Sequence, residues 1–176
     1  MKKFYFLFLL CSIAAVSFVS CTKGTSETSY DERAYVEIRG LKWATKNVGA
    51  TEDNPYGNYF TYEQALGACP DGWRLPIYDE LEQLSQSHSI PVIYNGIHGI
   101  WFSDSTPYKD GVDAVFLPMA GSYYLGYVDT LGYDGHYWSS TEGDSEFYAY
   151  DLYFGSVVSM AHDYRGTGFS VRCVKD

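Results

Sequence analysis

The chain has 176 residues, with 22 Asp and Glu against 12 Lys and Arg, a formal charge of −10, and 18 tyrosines. That length supports one domain with a sizeable core. An acidic chain without a basic run offers little attraction to a nucleic-acid backbone or an anionic lipid surface, which excludes both as charge-driven partners.

Lys2 and Lys3 precede an apolar run from Phe4 to Val19, and Ser20-Cys21 follows. A basic start, an apolar stretch and a small residue before a cut describe a secretory signal over residues 1–20. The run contains Ser12 and Ser17 and falls short of the ~20 apolar residues that span a bilayer. Its end resembles the lipobox of bacterial lipoproteins, which implies that Cys21 is diacylated and becomes the new N-terminus. The expected location is the cell envelope, as an outer-membrane lipoprotein facing the periplasm or the surface. Loss of Lys2 and Lys3 leaves ten basic residues against 22 acidic ones, a charge of −12, so the lipid must hold the protein at the membrane. "TKGTSETSYDE", starting at Thr22, is polar and nearly free of aliphatics. Residues 21–33 therefore read as a flexible tether and 34–176 as the domain.

Along the domain, "AYVEIRGLKWATKNVGA" reads as a strand followed by a segment carrying Trp43. "EDNPYGNYF" is a turn region. Thr61 and Gln64 have capping-box spacing, so a short helix is expected over 62–68, stopped by Gly67 and Cys69-Pro70. Ile77, Leu81 and Leu84 share a helical face, with Asp79, Glu80 and Glu82 toward the start, which predicts a second helix over 77–86. Beyond residue 100 the pattern becomes β. Tyr148, Tyr150, Leu152 and Phe154 alternate while Asp151 points the other way, and "FSVRCV" sets Phe169, Val171 and Cys173 against Ser170 and Arg172. Two early helices and late strands indicate an α+β fold.

Of the four cysteines, Cys11 leaves with the signal and Cys21 takes the lipid. Cys69 and Cys173 remain in a compartment that permits oxidation, without a CxxC motif or a neighbouring histidine. A disulfide is the expected state, stabilising the fold by roughly 4–5 kcal/mol through loop closure.

"YGNYFTYEQAL", "CPDGWRLPIYDELEQL", "FLPMAGSYYLGY", "YWSSTE" and "GFSVRCVKD" resemble, in order, the signatures of the Fibrobacter succinogenes major paralogous domain, a family of bacterial envelope lipoproteins. The resemblance runs from about Trp43 to Asp176. It implies a C-type-lectin-like fold, shared with formylglycine-generating enzymes, with two short helices N-terminal and a twisted, mostly antiparallel sheet C-terminal. It also implies pairing of a cysteine near the first helix with one in the last strand, positions matched by Cys69 and Cys173. Two residues depart from the pattern. Ile77 stands where Thr or Ser usually caps the second helix, a loss of about 1 kcal/mol that Asp79 and Glu80 partly offset through the helix dipole. Leu81 stands where a Trp is common.

Catalytic signatures are absent from the sequence. His88, His98, His136 and His162 lack metal-ligand spacing, and Ser139-Ser140 lacks the nucleophile elbow. Formylglycine-generating enzymes hold copper with two C-terminal cysteines; only Cys173 lies in that region. The triplets with which calcium lectins chelate sugar are missing, and the acidic stretches 110–113 and 142–146 read as solvated loops. No enzyme activity, cofactor or metal is expected.

What remains is the aromatic run "GSYYLGYVDTLGYDGHYWSS". Tyr and Trp give large amphipathic contact areas with few torsions to freeze. Most of Tyr123, Tyr124, Tyr127, Tyr148 and Tyr150 are expected to pack, as are Trp43, Trp73, Trp101 and Trp138. Tyr133, Asp134, His136 and Tyr137 surround a glycine turn and are the ligand-binding candidates, in the stretch that the family resemblance places near a ligand loop. The expected function is non-catalytic binding or adhesion at the envelope, toward a glycan or a protein. The alternatives are an accessory subunit of a surface assembly or a formylglycine-generating-type oxidase.

Overall fold

The computed structural model describes residues 35–105 and 114–176. The signal, the lipidation site Cys21, the tether and the acidic stretch 110–113 lie outside the described residues.

The chain runs β1 (Tyr35–Ile38), β2 (Leu41–Ala44), α1 (Tyr62–Ala65), α2 (Tyr78–Ser85), β3 (His88–Tyr94), β4 (Ile97–Ser103), β5 (Ala114–Pro118), β6 (Ser122–Tyr124), β7 (Tyr127–Asp129), β8 (Gly135–Glu142), β9 (Tyr148–Phe154), β10 (Val158–Tyr164) and β11 (Val174–Lys175). The strands form three antiparallel three-stranded sheets, ordered β1-β2-β11, β3-β4-β5 and β10-β9-β8, plus the β6–β7 hairpin. The fold class is α+β.

Two expectations about element order need correction. The helices are not N-terminal, because 35–44 is a hairpin and not a single strand. Arg39 and Gly40 both adopt positive φ, 55° and 76°, the two-residue turn whose twist matches paired strands. Nor is the sheet a single C-terminal layer. β3 begins at His88, and Asn95-Gly96 turns it into β4 with the same pair of positive φ angles, 50° and 81°.

The C-terminal stretch is threaded through the middle of the molecule. Phe60 and Phe169 exchange backbone hydrogen bonds, Val48 N–H donates to Val171 O, and Ala44 N–H donates to Cys173 O. On its other side, Ser170 N–H donates to His136 O and Trp138 N–H to Ser170 O. With backbone on both flanks, the expected in–out alternation fails: Phe169, Ser170, Val171, Arg172 and Cys173 are all buried. Cys69 and Cys173 form a disulfide with Cα atoms 5.8 Å apart, fastening the turn after α1, which ends at Ala65 and not at residue 68, to this central segment.

The core has two parts. In one, Trp43, Leu81, Leu84, Phe102, Leu117, Leu152 and Phe154 pack together; in the other, Tyr62, Trp73, Trp138, Phe169 and Val171 surround the disulfide. All four tryptophans are buried. Leu81 and Leu84 form the inner face of α2, whereas Ile77 is exposed at its N-cap. Ile77 has no acceptor to offer, and two other residues supply what it lacks. Glu80 Oε2 accepts from Ile77 N–H at 2.9 Å, and Thr141 Oγ1, from β8, accepts from Tyr78 N–H at 2.9 Å.

Candidate functional site

The stretch from Gly121 to Tyr137 divides into three environments. The first is the β6–β7 hairpin, whose turn residues Leu125 and Gly126 have positive φ of 49° and 90°. Its base is tied down. Tyr123 and Gly168 exchange backbone hydrogen bonds of 2.8 and 2.7 Å, and Gly121 N–H donates to Asp134 O at 2.9 Å. Gly121 must be glycine: its φ is +64° and a Cβ there would lie 2.0 Å from Asp129 O. The tip carries bare apolar surface, with Leu125 78% and Tyr127 76% exposed, and in the turn after β7 Tyr133 is 80% exposed. Tyr123 and Tyr124 are also exposed, contrary to the expectation that they pack, because a two-stranded ribbon has no further layer to cover its second face; Tyr148, at the start of β9, is exposed as well.

Beside the hairpin lies a shallow groove of about 700 Å³. Tyr123 and Tyr59 stack along it, their centroids 5.9 Å apart at an interplanar angle of 22°. Asn54, Asn58 and Gln64 add amide groups, and among the described residues no charged side chain lines it. The Tyr59 hydroxyl donates to Ala120 O at 2.6 Å, which fixes that ring. Gly168 is what lets the two rings meet, since a Cβ there would sit 3.1 Å from the Cβ atoms of both Tyr59 and Tyr123.

The second environment is a half-buried cluster one strand away. His136 on β8, Asp151 on β9 and Asp163 on β10 converge across the sheet. His136 Nδ1 lies 2.9 Å from Asp151 Oδ2 and 3.8 Å from Asp163 Oδ2, while Nε2 is 4.0 Å from Asp134 Oδ1. The imidazole is stacked on Phe169 at 4.3 Å between centroids. Burial works against the imidazolium, but Asp151, Asp163 and Asp134 outweigh it and raise the His136 pKa above its ordinary value. Burial also pushes the Asp151 carboxyl up, with His136 pulling against it. Asp151 is fully buried, and among the described residues no hydrogen-bond donor reaches its Oδ1.

The third environment is core. Tyr137 is 1% exposed; its hydroxyl donates to Pro118 O at 3.0 Å and accepts from Asn47 Nδ2 at 3.0 Å. The four ligand-binding candidates are thus separated: Tyr133 belongs to the exposed patch, Asp134 and His136 to the cluster, and Tyr137 to the interior. A glycine turn was expected to lift all four off the sheet. Gly135 instead opens β8, which carries His136 and Tyr137 into the protein.

Sequence reasoning missed Tyr59, Asp151 and Asp163. The available signal was Asp151 itself, a lone carboxylate inside "YAYDLYF", where an exposed alternation would have placed more than one polar residue. The Cys173 sulfur is bonded to Cys69 and is not a free thiol.

No family model, curated protein or solved structure matches this chain.

Proposed function

We propose that this chain is a lipid-anchored envelope protein whose domain binds a glycan without catalysing a reaction. The tyrosine groove carries the reading. Two stacked phenol rings, Tyr59 and Tyr123, border a shallow, uncharged trough furnished with the amides of Asn54, Asn58 and Gln64. Sugar rings present apolar faces edged by hydroxyls, and flat aromatic surfaces beside amide donors and acceptors complement both features. The shallowness suits one segment of an extended polymer better than an enclosed small molecule. The residues resembling the Fibrobacter succinogenes paralogous domain, and through it the C-type-lectin-like fold, are consistent with this reading, as is the lipobox-like Ser20-Cys21.

A glycan array probed with the exported protein and with Tyr123→Ala tests it. Retention of a glycan class by the parent and its loss in the variant supports the reading; equal signals, or none from the parent, defeat it. Mass analysis of the exported N-terminus tests the anchor, which requires acylated Cys21.

A second reading rests on the hairpin tip and the turn that follows β7. Leu125, Tyr127 and Tyr133 expose apolar surface that a sister subunit of a surface assembly would cover. Co-purification of a stoichiometric envelope protein, abolished by Tyr127→Ser and unaffected by Tyr123→Ala, would favour that role over glycan binding.

A further inference from the structure

We propose that His136, Asp151 and Asp163 form a binding site for a first-row divalent cation of the Zn²⁺ or Mn²⁺ kind. Their ligand atoms, one imidazole nitrogen and two carboxylate oxygens, all lie within 4.8 Å of one another. A cation held at about 2.0–2.2 Å by such atoms keeps them about 3–4 Å apart, and His136 Nδ1 is 2.9 Å from Asp151 Oδ2 and 3.8 Å from Asp163 Oδ2. The arrangement is built into three neighbouring strands, β8, β9 and β10, and does not depend on loops.

The independent sign of a missing ligand is on Asp151. Its carboxylate is 0% exposed, and among the described residues no hydrogen-bond donor reaches Oδ1. A fully buried carboxylate oxygen without a partner is costly in a finished interior. The imidazole reaches Oδ2, and among the described residues the only other charged side chains facing the cluster, Asp163 and Asp134, bring negative charge with them. A divalent cation bound through Asp151 relieves both deficits.

The donor set narrows the choice of metal. Mg²⁺ and Ca²⁺ take oxygen ligands, whereas an imidazole beside carboxylates suits Zn²⁺ or Mn²⁺. The ring is held in place for the task, stacked on Phe169, with Asp134 facing its second nitrogen. None of the three residues lines the tyrosine groove, so the site does not depend on what that groove binds.

The test is calorimetric titration of the full exported protein, stripped with chelator and checked by circular dichroism, with Zn²⁺ and separately with Mn²⁺. One equivalent of at least one of them should bind. Asp151→Asn and Asp163→Asn should each weaken that binding at least about ten-fold. Asp163 is 41% exposed at its side chain on the outer strand β10, so its variant reports on the site even if the buried substitution loosens the fold. No uptake of either ion by the folded parent overturns the proposal. So does uptake whose affinity is unchanged in Asp163→Asn, since His88, His98 or His162 would then be holding the ion elsewhere.

Discussion

Arg172 and Asn47, 125 residues apart, form a buried fork: Nε and Nη2 of Arg172 reach Asn47 Oδ1 at 3.0 and 2.7 Å. Arg172 is 1% exposed and also donates to Ala44 O at 2.7 Å and to Phe116 O at 3.0 Å. Asn47 passes the connection on, donating to Tyr56 O and to the Tyr137 hydroxyl. One side chain thus joins the N-terminal hairpin, β5, β8 and the C-terminal segment. Asn47→Ala removes one neutral acceptor from a buried guanidinium that keeps Ala44 O and Phe116 O, so it should cost about 1–3 kcal/mol in urea denaturation.

The hydroxyl at the end of that network makes stability depend on alkaline pH. Burial pushes the Tyr137 hydroxyl from its ordinary 10.0 up to about 12, with Arg172 and Asn47 pulling partly against it. A pKa raised on folding means that the unfolded chain releases its proton first. The contribution is complete below about pH 10 and fades as pH climbs to about 12, amounting to about 2–3 kcal/mol. Urea midpoints measured across this range should fall more steeply for the parent than for Tyr137→Phe.

The disulfide encloses a loop with a sequence separation of 104. Cys69→Ser with Cys173→Ser should lower stability by about 4–5 kcal/mol if chain entropy dominates. Chemical denaturation of the oxidised parent and of the double variant measures it.

The start of α2 depends on a partner distant in sequence. Thr141→Val keeps the shape but removes the acceptor for Tyr78 N–H, and should cost about 1 kcal/mol. Thr141→Ser should restore most of that loss in the same assay.

Local chemistry was legible in the sequence and long-range coverage was not. The cysteine pairing followed from the count and the expected compartment, α1 from its capping box, and α2 from its apolar spacing and early acidic residues. The Arg39-Gly40 turn gave little warning, because arginine is not a residue that favours positive φ. Asn95-Gly96 has the residue types that such a turn prefers, and its signal was there to be read. Asp151 and Arg172 defied alternation for one shared reason. Period two tells which residues lie on opposite faces of a strand, but not that both faces are covered, and here Ala149 and Phe169 pack together on the face of β9 that alternation leaves free. Tyr133 through Tyr137 looked like one site because they are consecutive; the strand β8 distributes them to surface, cluster and core.

Amide chemical-shift mapping of the isotopically labelled domain with envelope-derived oligosaccharides locates any glycan contact residue by residue. Shifts concentrated at Asn58, Tyr59, Tyr123 and Gly168 are the expected result. Unmoved spectra, or shifts gathered away from the Tyr59–Tyr123 groove, would contradict a glycan-binding role for this surface.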